Sequence, residues 1–180
     1  MAHSAQAHND RLITSNSSRD GLTGLPNRLG LLYRFERLAA SADDCAVMFV
    51  DIDNFKQIND EFGHGAGDRV LSAVADRLIR TVRPDDFVCR IGGDEFAVVL
   101  TDSQGRLGTE TVRTVAERVV AILTQPVSHD GATIALAASV GVARGDRDRD
   151  FDGLMDRADG AMYRAKREGG ARHHLDITAA

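Results

Sequence analysis

Asp86-Phe87-Val88-Cys89-Arg90-Ile91-Gly92-Gly93-Asp94-Glu95-Phe96-Ala97-Val98-Val99-Leu100 holds two strand-like runs, 86–90 and 95–100, parted by two glycines and an acid. That pattern predicts a tight hairpin with its tip at Gly92-Gly93-Asp94. A second hairpin is predicted after Pro126, turning at Asp130-Gly131, with 133–143 as its second strand, where Ser139 interrupts a long apolar run. Strands joined by hairpins pair antiparallel. With helices between them they predict an α+β fold, a central and mainly antiparallel sheet wrapped by helices.

Helical periodicity fills the rest of the chain. Over 27–40, Leu31, Leu32, Phe35, Leu38 and Ala39 line one face, and 45–52 follows as a buried strand. A short helix starts at Asn54, and the glycine-rich segment 63–67 is expected as a loop leading into a longer helix faced by Val70, Leu71, Val74, Leu78 and Ile79. Val112, Ala116, Val119 and Leu123 mark a helix ended by Pro126, and Leu154, Ala158, Met162 and Ala165 mark the last, stopped by Gly169-Gly170. The expected order is α-β-α-α-β-β-α-β-β-α. Residues 1–18, rich in Ser, Ala, His and Asn, are expected as a flexible lead-in, 19–177 as the domain and 178–180 as a tail.

With 180 residues, 43% apolar and 27% charged, the chain suits one globular domain. A net charge of −5 argues against a polymer-coating nucleic-acid binder, which draws its affinity from neutralised phosphates. Cys45 and Cys89 sit inside apolar runs and are expected as core thiols of a reducing, cytoplasmic compartment. The longest apolar run, 45–50, is far below the roughly 20 residues of a membrane span, so no direct membrane contact is expected.

Strand alternation puts Asp51 and Asp53 on one face at the end of an apolar strand. Paired carboxylates there suit magnesium, which takes oxygen ligands and keeps waters or substrate phosphates in the remaining positions. Asp53 also suits the cap of the following helix. At the hairpin tip, Gly92 and Gly93 admit a phosphate close to the backbone beside Asp94 and Glu95, although a plain tight turn needs the same residues. If neighbouring strands bring Asp51 beside Asp94, the acids form a metal site fit for phosphoryl or nucleotidyl transfer. Lys56 and Lys166 are candidate phosphate partners or solvated helix residues. Asp68, with Asn59, can accept from the donors of a guanine edge, or can serve as an acid favoured by a helix dipole.

Together these segments resemble the GGDEF family of diguanylate cyclases, spelled here by Gly92-Gly93-Asp94-Glu95-Phe96. Asp20 through Arg28 looks like the family's opening segment, and Asp51-Ile52-Asp53-Asn54-Phe55-Lys56 like its metal-binding strand end. Further matches are Asn59-Asp60, Phe62-Gly63-His64, Gly67-Asp68, Ser139-Val140-Gly141 and Ala158-Asp159 through Ala165-Lys166, so the resemblance covers about 19–168.

The resemblance implies a fold related to polymerase palms and nucleotidyl cyclases, and condensation of two GTP into cyclic di-GMP with release of pyrophosphate. It implies that Asp51, the Ile52 carbonyl and Asp94 hold Mg2+, with Mn2+ as a substitute. Asp94, Glu95 and Lys56 would be catalytic. Asn59, His64, Asp68, Gly92, Gly93 and Lys166 would bind substrate. One GTP per domain implies a homodimer in catalysis. Arg83 and Asp86 match the family's RxxD inhibitory site for cyclic di-GMP. A non-catalytic GTP or cyclic di-GMP sensor is the alternative. One position departs from the pattern: Gly170 stands where the family carries a phosphate-binding arginine, leaving Arg167 and Arg172 as neighbouring candidates.

Overall fold

A computed structural model describes residues 17–39, 44–102, 107–145 and 151–176. The elements are α1 (Arg28–Ala39), β1 (Asp44–Ile52), α2 (Phe55–Phe62), α3 (His64–Thr81), β2 (Phe87–Gly92), β3 (Glu95–Asp102), α4 (Thr109–Leu123), β4 (Val127–His129), β5 (Ala132–Ile134), β6 (Ala138–Arg144), α5 (Phe151–Arg167) and β7 (His173–Asp176). Among the described residues five strands form the main sheet in the order β2-β3-β1-β6-β7, and of their pairings only β6–β7 is parallel, so the sheet is mainly antiparallel, as expected.

Period-two alternation along β1 sorts its side chains onto two faces. Met48, Val50 and Ile52 enter one cluster with Val70, Val74 and Leu78 of α3 and Val112, Ala116 and Val119 of α4. Val47 and Phe49 enter the other with Leu31, Phe35 and Leu38 of α1 and Leu154, Ala158 and Met162 of α5. Helices thus cover both faces. Asp51 shares the parity of Val47 and Phe49, so it faces α5.

Several expectations need correction. The helix over 27–40 runs Arg28–Ala39 and is capped by Asn27, whose Oδ1 accepts from Leu29 N (2.9 Å) and Gly30 N (3.2 Å). Leu32 and Ile79, assigned to apolar faces, are exposed. The glycine-rich segment from His64 to Gly67 is the first turn of α3 rather than a loop, because α3 packs against α2 immediately after Gly63. Asp130-Gly131 does turn, both residues at positive φ, but β4 and β5 make a separate two-stranded ribbon. The apolar run 133–143 is therefore split. Leu136 drops into the core between β5 and β6, and only β6 joins the main sheet. The strand β7 was not predicted: His173–Asp176 is half-buried at every position, so it carries no alternation, and it is held by parallel pairing with β6.

Residues 1–16 of the expected lead-in, the last residue of the expected domain, 177, and the expected tail 178–180 lie outside the described residues; the Ser17 and Ser18 carbonyls accept from Asn27. Cys45 and Cys89 are thiols, and burial pushes Cys89 up to about 12. Among the described residues no helix is long and apolar enough to cross a membrane.

Candidate active site

The register between β1 and β3 brings the two acidic segments together. Asp51 lies opposite Glu95 on one side and opposite Ser139 of β6 on the other, and Ile52 N donates to Asp94 O at 3.3 Å. Cross-strand partners share a face, so Asp51, Glu95 and Ser139 form a row across the sheet. Between β2 and β3 the hairpin narrows to Gly93-Asp94, with an irregularity at Arg90/Gly92. Asp51 was expected beside Asp94; its direct cross-strand partner is Glu95, and Asp94 meets the next residue, Ile52, through its backbone carbonyl.

Asp51 is 6% exposed. Burial raises its pKa above the ordinary 3.8, Lys166 pulls it down, and the Asp94 and Glu95 charges push it up again. Lys166 reaches it from α5, Nζ to Oδ1 at 2.6 Å. Asp51 is therefore a buried carboxylate whose close partner is the Lys166 ammonium. Among the described residues no group of three or more Asp, Glu, His or Cys side chains makes a metal cage. The arrangement fits instead a hard cation held by one or two carboxylates and completed by phosphates and water.

Asp53 does not cap α2. Its Oδ1 accepts from Ser139 Oγ (2.7 Å) and its Oδ2 from Ala171 N (2.9 Å), while Asn54 enters α2 in the left-handed region. Lys56 is exposed on the first turn of α2 and makes no ion pair among the described residues. His64 and Asp68 are exposed on α3, and Asn59 is half-buried on α2. The α2–α3 corner is tight: a Cβ on Gly67 would run into Asn59 Oδ1. Asn59 Oδ1 thus lies against the Gly67 backbone, next in the chain to the exposed Asp68. Arg83 is exposed, and Asp86 is tied locally, accepting from Arg83 N at 2.9 Å and Thr101 N at 3.1 Å. A cleft of about 340 Å³ opens here, away from Asp51, lined by Arg19, Thr23, Leu25, Ile79, Arg83 and Asp86.

Arg90 was missed by sequence reasoning. It donates from Nε (3.0 Å) and Nη2 (2.7 Å) to Gly93 O, and from Nη1 to both oxygens of Asp20 (2.9 and 3.1 Å). Asp20 also accepts from Thr23 N and Oγ1. Burial raises the Asp20 pKa, but the Thr23 and Arg90 hydrogen bonds outweigh it and hold the carboxyl below its usual value. One guanidinium thus fastens the hairpin tip to the 20–26 turn. A charged residue inside an otherwise apolar strand, two positions before a glycine pair, was the available signal.

A family model described as "Diguanylate cyclase, GGDEF domain" matches residues 17–172. Over 163 residues the chain is 39% identical to diguanylate cyclase DgcP of Pseudomonas aeruginosa, covering 88% of this chain but only 23% of that protein. Its fold is similar to that of diguanylate cyclase SiaD of P. aeruginosa, solved in complex with its activator SiaC (TM-score 0.82, 31% identity, 98% of this chain and 68% of that one). It is likewise similar to the GGDEF domain of DgcB from Caulobacter crescentus in complex with c-di-GMP (TM-score 0.79, 30% identity, 88% and 93% covered).

Proposed function

The chain belongs to the GGDEF domain family, and we propose that it is a diguanylate cyclase that condenses two GTP into cyclic di-GMP and two pyrophosphates. The observation that carries this reading is the register that sets Asp51 against Glu95 at the glycine hairpin, with Lys166 beside it. Asp51, the Ile52 carbonyl and Asp94 would hold Mg2+, or Mn2+ in its place. When bound, the ion supplies charge neutralisation for the phosphates and a lower pKa for the attacking hydroxyl.

The chain's own residues do the rest. Gly92 and Gly93 leave backbone open to the triphosphate. Lys166, already turned toward Asp51, and Lys56 on the next helix carry the positive charge that balances it. Asn59 and Asp68 accept from the guanine edge, and His64 closes that pocket at the start of α3. The 3′-hydroxyl of one GTP attacks the α-phosphorus of the other; Asp94 takes the proton, with Glu95 the adjoining acid, and pyrophosphate leaves. Repeating the step closes the ring. Because each domain holds one GTP, two chains meet face to face as a homodimer.

Arg83 and Asp86 form the inhibitory site for product; that a GGDEF domain can hold c-di-GMP at all is what the complex of the similar DgcB domain supports. Arg83 is free to fork onto a phosphate or stack on guanine.

The test is incubation with GTP and Mg2+, with products identified by chromatography and mass spectrometry. Cyclic di-GMP is expected from the chain and none from Asp94→Ala. GTP binding without turnover would replace the enzyme with a sensor.

A further inference from the structure

We propose that Asp53 is a positioning residue that docks the C-terminal end of α5 onto the strand end, so that Lys166 is held at Asp51 for the phosphates; this rests on the cyclase reading above. The helix ends in a pair of reversed bonds, Gly169 N to Lys166 O and Gly170 N to Ala165 O, both 3.1 Å, the pattern of a Schellman motif. Lys166 is thus part of the terminating turn itself. The chain leaves that turn through three successive left-handed residues: Gly169 (φ 107°), Gly170 (φ 68°) and Ala171 (φ 51°). For alanine this conformation costs about 1–2 kcal/mol, so something must hold it.

The group that holds it is Asp53, whose Oδ2 accepts the Ala171 N–H at 2.9 Å. The carboxylate cannot swing away freely, because Oδ1 is bound by Ser139 Oγ, which is fully buried, and Asp53 N donates to Ala137 O. Asp51 and Asp53 share a strand face, and both address the same helix end, one through the Lys166 ammonium and the other through backbone. A lysine stem is flexible, so fixing the turn beneath it is what limits where its charge can go.

The glycine that departs from the family pattern follows from this dock. A Cβ at 170 would come 2.6 Å from Asp53 Oδ2 and 3.0 Å from its Cγ, against a carboxylate bound at both oxygens. At a φ of 68° a side chain at 170 is strained, and to fit it must shift Asp53 or the turn.

The test compares Asp53→Asn and Gly170→Ala, each alone and combined with Lys166→Met. Amide hydrogen exchange reads the dock, and KM and kcat for GTP read its consequence. Faster exchange at Ala171 is expected in both variants. KM should rise by about tenfold, as for loss of one charge-assisted contact, with a smaller change in kcat. In the Lys166→Met background the same substitutions should leave KM unchanged, since Asp53 acts through that lysine. Unchanged exchange at Ala171, or a KM penalty that adds fully to that of Lys166→Met, would overturn the proposal. If Asp53→Asn does not fold, Gly170→Ala decides alone. Should the unsubstituted chain make no cyclic di-GMP, the cyclase reading fails, while amide exchange and the same cycle in GTP dissociation constants still judge the dock.

Discussion

Asp51→Asn is expected to stabilise the chain and abolish product formation together. Asp51 is almost fully buried, and Asp94 and Glu95 repel its charge. Burial and these neighbours outweigh the attraction of Lys166, so the folded state keeps the proton to higher pH than the unfolded chain does. A carboxyl raised in this way contributes stability that is complete below its ordinary value of 3.8 and is lost as pH rises through the folded-state value. Neutral asparagine escapes that loss and can donate to the adjoining carboxylates, while Lys166, half-exposed, can turn to water. Relieving strain of this kind at a functional site yields roughly 0.5–2 kcal/mol. For a domain of this size, 1 kcal/mol corresponds to about 2–4 °C in Tm. Thermal unfolding without nucleotide or metal, followed by circular dichroism from pH 3 to pH 8, should show the variant melting higher at neutral pH, by a margin that opens as pH rises above 3.8. A variant that melts lower at pH 8, or a margin independent of pH, would refute the electrostatic account of the site.

Three further outcomes follow from the geometry. Arg90→Lys keeps the charge but loses the fork that joins Gly93 O to Asp20, and should cost about 2 kcal/mol in chemical denaturation with a fall in cyclic di-GMP synthesis. Gly67→Ala drives a methyl into Asn59 and should cost about 1–3 kcal/mol while weakening GTP binding measured by calorimetry. Arg83→Ala, on an exposed side chain, should leave initial turnover and Tm unchanged and remove inhibition by added cyclic di-GMP; inhibition that persists would take the RxxD turn out of the regulatory reading. Asp86 is the poorer probe, because its carboxylate also binds the backbone of Arg83 and Thr101.

Elements with a strong local signal are legible in the amino-acid sequence. The Gly-Gly-Asp tip marks its hairpin because few other residues turn so tightly, and Val70, Leu71, Val74 and Leu78 mark α3 because helical spacing stacks them on one core face. Elements defined by distant partners were not legible. The edge strand β7 is a strand because β6 offers a parallel backbone, and the run 133–143 divides because its first residues belong to a ribbon and its last to the main sheet.

The site divides in the same way. Which acids, glycines and lysines are available can be read along the chain, and strand alternation already puts Asp51 and Asp53 on a common face. What those groups meet depends on how strands and helices pack. The β1–β3 register sets Asp51 against Glu95, and packing of α5 on that face delivers Lys166 to Asp51 and the Ala171 amide to Asp53. Such pairings join residues more than forty positions apart, and no local preference encodes them. They arise from the requirement that each apolar face be covered and each buried polar group find a partner.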